Sequence, residues 1–247
     1  MPKAKRLRVF AGPNGSGKST LFKQIGSQFN TGYFVNSDEI EKELRNTNFI
    51  NLDKFGLHLT QDDLDTFLLR PESVSLLRKA HDSGQPIHIV LRENLIVDKS
   101  KDTHSYEASL ITSFIRYHLL EKGISYSFET VMSHPSKLDE LTEATGKNYK
   151  TYLYFICIDD PLINISRVHI RAEKGGHGVP ERKITERYHR TLNNLLPAIH
   201  IADKAYLFDN SAETMLLIAE VMKGQIEILV PEHKLPSWFI EHVVNKL

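Results

Sequence analysis

An α/β fold, with a mostly parallel sheet flanked by helices, is predicted from three observations. A glycine-rich turn, Gly12-Pro13-Asn14-Gly15-Ser16-Gly17-Lys18-Ser19-Thr20, stands between the β-prone Leu7–Ala11 and the helically spaced Leu21–Ile25. Thr151–Ile158 is apolar on both faces, as a central parallel strand should be. Polar residues recur where strands end, at Asn36–Glu39, Glu129–Ser133, Asp159-Asp160 and Asp209–Ser211, and the carboxyl ends of strands are where open α/β sheets bind ligands.

The glycine turn fits G-x-x-x-x-G-K-[ST]. A strand that ends in such a loop and opens a helix turns backbone N–H groups and the positive end of the helix dipole toward one point, which suits a polyphosphate. The reading is therefore a P-loop NTPase fold binding ATP through Gly12 to Thr20, with Lys18 reaching the β- and γ-phosphates and the Ser19 hydroxyl on Mg²⁺.

Composition narrows the rest. The chain has 247 residues, 40% hydrophobic and 25% charged, enough for one large P-loop domain over 1–247 with an insertion at about 45–104. Lys+Arg and Asp+Glu balance at 31 each, so there is no global basic field and a nucleic-acid partner is disfavoured. The single Cys157 lies in an apolar run and forms no intramolecular disulfide, which favours a cytoplasmic location and a buried, inert thiol. No apolar stretch approaches the ~18 residues of a membrane span, and the first six residues lack a signal-peptide core.

Along the chain, a second strand at Gly32–Val35 leads to a helix that Ser37 or Asp38 would cap. Asp38 is open to two readings: a plain cap, or a base that takes a proton from a substrate hydroxyl attacking the γ-phosphate. Within the insertion, a helix starts at Thr60–Asp63 and ends at Pro71, a second runs from Ser73 to Asp82, and Ile87–Leu91 pairs with Leu95–Val97 as a hairpin. A helix at about 105–121 stops at Gly123, and a strand at Ile124–Phe128 delivers Glu129 and Thr130 to the ligand edge. A short helix at Ser136–Thr145 follows. Asp159, after the central strand, is a rival organiser of Mg²⁺ in the manner of a Walker B residue, or simply starts a turn into the next helix.

From about 162 to 190, Arg167, Arg171, Arg182, Arg187 and Arg190 cluster around Gly175–Pro180. Two helices joined by that turn would form an arginine-bearing lid whose guanidinium forks meet phosphate oxygens. His177 reads as a turn-fixing hydrogen-bonder, because no second ligand stands at helix spacing. Farther on, Ala205–Phe208 is a strand, Asp209–Ser211 caps a helix from about Ala212 to Met222, Ile226–Val230 is an edge strand, and Pro236–Leu247 is a terminal helix packing Trp238 and Phe239. Asn210 lies on the ligand edge, bordering the adenine.

Taken in order, the phosphate loop, Asn36–Ile40, Phe128-Glu129-Thr130, Arg167 to Arg171 with Gly175-Gly176-His177 and Val179-Pro180, Arg187-Tyr188-His189-Arg190 and Phe208–Ser211 resemble the zeta-toxin-like kinases. The resemblance covers most of the chain outside about 45–104. It implies ATP- and Mg²⁺-dependent phosphoryl transfer to a hydroxyl of a small molecule, UDP-N-acetylglucosamine in that family, and an antitoxin protein as partner. By it Asp38 is the catalytic base, Lys18 the phosphate-loop lysine, Glu129 and Thr130 substrate-side groups, and Arg171 and Arg187 lid arginines. One departure is visible: well-studied zeta toxins carry Glu-x-Thr-x-Arg after the strand, and Ser133 stands where arginine is expected. Two other classes stay open on the residues alone. One is an NTPase switch or transport-type ATPase built on Asp159 and acting through a protein partner; the other is a kinase of nucleic-acid ends.

Overall fold

The computed structural model describes residues 4–100, 102–174, 178–222 and 224–247. In chain order the elements are β1 (Arg6–Ala11), α1 (Lys18–Gln28), β2 (Tyr33–Val35), α2 (Ser37–Thr47), β3 (Phe49–Asn51), α3 (Gln61–Leu68), α4 (Pro71–Asp82), β4 (Ile89–Arg92), β5 (Leu95–Asp98) and α5 (Ser105–Glu121). They continue with β6 (Tyr126–Thr130), α6 (Ser136–Gly146), β7 (Lys150–Cys157), α7 (Pro161–Glu173), α8 (Glu181–Asn193), α9 (Leu195–Ile201), β8 (Lys204–Asp209), β9 (Leu216–Met222), β10 (Gln225–Ile228) and α10 (Ser237–His242). Contacts divide the chain into two compact units, residues 1–32 with 127–247, and residues 33–126.

The larger sheet is seven-stranded and mostly parallel, in the order β10-β9-β8-β7-β1-β6-β2. As its sequence demands, β7 is central, paired in parallel with β1 and with β8. That register brings Ala11, Cys157 and Asp209 to one edge of the sheet, so the loops after β1, β7 and β8 all open there. Alternate residues of β7 serve opposite faces. On one face Tyr154 stacks on Phe10, ring centroids 4.8 Å apart, beside the buried cluster of Phe10, Leu21 and Ile156 that seats α1. On the other, Phe155 meets Trp238 of α10 at 5.7 Å. The fully buried Phe10, Phe155 and Trp238 each contribute roughly 2–3 kcal/mol of hydrophobic stabilisation, so helices are held on both faces behind the loop edge.

The second unit centres on α5, whose Leu110, Ile111, Phe114, Ile115 and Leu119 are buried and against which α2 packs. A three-stranded antiparallel sheet, β3-β5-β4, occupies much of the expected insertion. The anticipated hairpin is present: Glu93 and Asn94, with φ of 49° and 62°, make the two-residue turn between β4 and β5.

Three sequence readings are corrected and one element is added. The cap of α2 is Asn36, whose Oδ1 accepts the N–H groups of Asp38 and Glu39 at 2.8 and 3.2 Å, and not Ser37 or Asp38. Pro71 begins α4 rather than merely ending α3, since its missing N–H costs nothing in a first turn. The helix expected over Ala212–Met222 is strand β9, antiparallel to β8. There Leu216–Met222 buries Ile218, Ala219 and Val221 against the sheet, and pairing with β8 overrides a weak helical pattern. Helix α9 has no counterpart in the sequence reading; its Pro197 sits in the first turn, where proline is tolerated.

Candidate active site

The loop between β1 and α1 is held in shape by close packing. Gly12 has φ of 147°, and a Cβ there would come within 2.0 Å of the Ile156 carbonyl of β7. Gly17, at φ 105°, precedes α1, and its Cβ would lie 2.6 Å from Asn210 Nδ2. Side chains could not be accommodated at either position, which is why the pattern demands glycine. Helix α1 opens at Lys18 with no side chain capping it, so its first-turn N–H groups face the loop unspent by any cap. Lys18 Nζ folds over the loop and donates to the Gly12 and Pro13 carbonyls at 2.9 and 2.8 Å. Ser16 Oγ is buried beneath it with no hydrogen-bond partner among the described residues. Glycines that admit no Cβ, an uncapped helix start and an orphaned hydroxyl fit a bound polyphosphate.

Ser19, the expected metal ligand, donates from Oγ to Glu129 Oε2 at 2.9 Å. Glu129 and Thr130 lie at the end of β6 rather than beyond it. The Gly12 N–H donates to the Thr130 carbonyl at 3.3 Å, and the Met132 N–H to the Thr130 hydroxyl at 3.0 Å. Thr130 thus fastens the end of β6 to the phosphate loop. Among the described residues no group of three or more His, Cys, Asp and Glu gathers to hold a metal. The oxygen donors of Ser19 and Glu129 suit a hard cation whose other ligands are phosphate oxygens and water.

Asp159 is differently engaged. Its Oδ1 accepts the backbone N–H of Trp238 at 2.9 Å, and its own N–H donates to Ser211 Oγ at 2.9 Å. Asp160 caps α7 through the Leu162 N–H at 2.8 Å. Burial pushes the Cys157 thiol well above its usual range, which keeps it protonated and inert.

The two arginine-bearing helices are anchored along their bases. From α7, Asn164 Nδ2 donates to the Asn14 carbonyl at 2.6 Å, and Arg167 Nη2 to the Asn210 carbonyl at 3.1 Å. From α8, the Tyr188 hydroxyl lies 2.8 and 3.1 Å from the Ile158 and Asp159 carbonyls, and Thr191 Oγ1 lies 2.7 Å from that of Val131. Asn194 Nδ2 donates to the Met132 carbonyl at 2.9 Å. Arg182 and Arg190 pair with Glu186 on the solvent side, at 3.2 and 3.9 Å. Arg187 is half-buried, with no ion-pair partner among the described residues, and Arg171 is exposed near the end of α7. The turn residues Gly175, Gly176 and His177 lie outside the described residues. Asp38 stands in the first turn of α2, exposed, in the second unit.

Asn164 was missed from sequence. Its signal was there in hindsight: a polar residue inside Leu162-Ile163-Asn164-Ile165 that is fully buried on the inner face of α7.

No protein-family model and no curated protein matches this sequence. Among solved structures, the chain is similar to one from the AvrRxo1-ORF1:AvrRxo1-ORF2 complex with sulphate ions, with a TM-score of 0.55 and 14% identity over 92% of this chain and 61% of that one. It is likewise similar to the same complex solved with ATP, with a TM-score of 0.51 and 15% identity over the same shares. A likeness to the PezAT chromosomal toxin-antitoxin system of Streptococcus pneumoniae, with a TM-score of 0.49 and 12% identity over 87% of this chain and 71% of that one, is too distant to carry an argument. The chain therefore spans 61% of the length of its AvrRxo1 neighbours, and at such identities the shared property is the α/β P-loop fold.

Proposed function

We propose that this chain transfers the γ-phosphoryl group of ATP to a hydroxyl of a small molecule, as a zeta-toxin-like kinase. The observation that carries the reading is the glycine loop of β1 and α1, closed by Cβ-excluding contacts and flanked by Lys18 and the Ser19–Glu129 pair. The fold it shares with a structure solved with ATP is in keeping with this.

In this reading the loop N–H groups and Lys18 bind the phosphates, and Arg171 and Arg187 meet the charge that develops on the transferring group. Ser19, with Glu129 beside it, would hold Mg²⁺, which neutralises phosphate charge when bound. Asp38 takes the proton from the attacking hydroxyl. The domain reading is one kinase domain over 1–247, with the segment at about 45–104 as an insertion and about 162–190 as the lid. The acceptor is a nucleotide sugar such as UDP-N-acetylglucosamine, by the family resemblance, and an antitoxin protein is the partner. The AvrRxo1 neighbours are themselves two-protein complexes. The location is the cytoplasm; among the described residues no helix is long and apolar enough to cross a membrane.

The test is phosphoryl transfer from Mg·ATP to UDP-N-acetylglucosamine, followed by mass spectrometry, with Lys18→Ala as control. Product formed by the wild type and lost in Lys18→Ala supports the reading. Near-wild-type turnover by Lys18→Ala with a normal circular dichroism spectrum would overturn the site assignment.

A further inference from the structure

The geometry points to Asn164 and Asn210 as positioning residues that set the polarity of the phosphate loop; this rests on the phosphate-binding reading above. The argument begins with the peptide plane. In a trans peptide the carbonyl of one residue and the N–H of the next point in opposite directions, and no cis bond occurs among the described residues. Fixing a carbonyl therefore aims the following N–H the other way.

Asn164 Nδ2 donates to the Asn14 carbonyl at 2.6 Å, and Asn210 Nδ2 to the Ser16 carbonyl at 2.8 Å. Each amide must present its nitrogen, because a carbonyl only accepts. The N–H groups of Gly15 and Gly17 are thereby turned away from α7 and from the loop after β8. Neither donates to an acceptor among the described residues. The carbonyls of Gly12 and Pro13 are already taken by Lys18 Nζ. Carbonyls 12, 13, 14 and 16 are thus all held by donors, and the N–H groups of the two left-handed glycines are left for a ligand. The Ser16 N–H between them donates to the Pro13 carbonyl at 3.3 Å, so the two N–H groups flank a spent one, and N–H groups gathered in turn and left-handed conformations make an anion-binding concavity, or nest.

Both amides are built in rather than incidental. Asn164 is fully buried, and its own carbonyl would lie 2.8 Å from a Cβ on Gly15. Asn210 is fixed in turn, its N–H donating to the Cys157 carbonyl at 2.8 Å and its carbonyl accepting from Arg167. The two reach the loop from separate elements and grip alternate peptides. Arg167 joins them, so the base of α7 and the loop after β8 hold the nest together.

The experiment compares wild type, Lys18→Ala, Asn164→Ala, Asn164→Leu and Asn210→Ala for affinity toward inorganic tripolyphosphate and Mg·ATP, with thermal melting in parallel. Loss of one orienting hydrogen bond should weaken both ligands about tenfold, a change of the size a single hydrogen bond supports. Asn164→Leu restores the lost volume but not the donor. It should bind as poorly as Asn164→Ala if the amide positions the loop, and nearly as well as wild type if the residue merely packs. Should the Asn164 variants fail to fold, Asn210→Ala, on a partly exposed loop, decides the matter alone. Asparagine variants that bind tripolyphosphate within twofold of wild type, while Lys18→Ala does not bind, would overturn this inference and leave the kinase reading standing. A wild type that binds neither ligand would overturn both.

Discussion

In the proposed reaction Asp38 and Asp159 are the two candidate carboxylates, and paired substitutions separate them. Asp159 uses its Oδ1 to accept from the Trp238 backbone, and asparagine keeps such an oxygen, so Asp159→Asn should leave Mg·ATP affinity and transfer rate close to wild type. Asp38→Asn should retain Mg·ATP affinity and slow transfer by about 10²-fold or more, the usual contribution of a general base. Calorimetry with single-turnover kinetics on both variants checks this; a severe Asp159 defect beside a near-normal Asp38→Asn would favour a Walker B role and the NTPase-switch reading. At this scale the strand, glycine turn and helix were legible as local structure, whereas the close approach of the Ile156 carbonyl to Gly12 and of Asn210 to Gly17 was not. Nor was Asn164, because its role depends on a carbonyl 150 residues away in sequence. The pairing of Ser19 with Glu129 was equally hidden, since the contact follows from strand order and not from spacing.

At the scale of elements, α8 is the most instructive. Its Tyr188 hydroxyl grips the end of β7, burial holds that phenol protonated far above the usual tyrosine range, and Arg187 stands beside it. Arg187→Ala should lower kcat more than ATP affinity if the guanidinium acts on the transition state. Tyr188→Phe should lower stability by about 1–2 kcal/mol, the worth of a buried hydrogen bond, and reproduce part of the Arg187→Ala effect on kcat by loosening the helix that carries it. Steady-state kinetics with urea unfolding tests the link; Tyr188→Phe with full kcat would dissociate anchoring from catalysis. The strands β1 and β7 were readable from their apolar runs. The error at Leu216–Met222 has a plain physical cause: alternation was masked by Leu216-Leu217-Ile218-Ala219, which satisfies a helix face as well as a strand buried in its middle. Only the neighbouring β8 decides the outcome.

For the whole molecule, balanced charge makes pH dependence a matter of particular groups. His118, on α5, is held below the ordinary imidazole value by burial, with Asp63 and Glu121 pulling it up and Lys122 down. Its folded pKa is depressed, so as pH falls below about 6.5 the unfolded chain takes up a proton that the folded chain refuses. Stability should therefore decline from neutral pH toward the lowered folded value, and His118→Gln should flatten that decline. Urea midpoints of the full chain at pH 7 and pH 5 measure it; parallel slopes for the two proteins would exclude His118 as the source. The central claim, phosphoryl transfer to a small-molecule hydroxyl, is tested most directly by incubating the protein with Mg·ATP labelled in its γ-phosphate and a metabolite extract, then following the label by mass spectrometry. The account predicts label in one small molecule with wild type and none with Lys18→Ala; label recovered only as inorganic phosphate, whatever the extract, would contradict it.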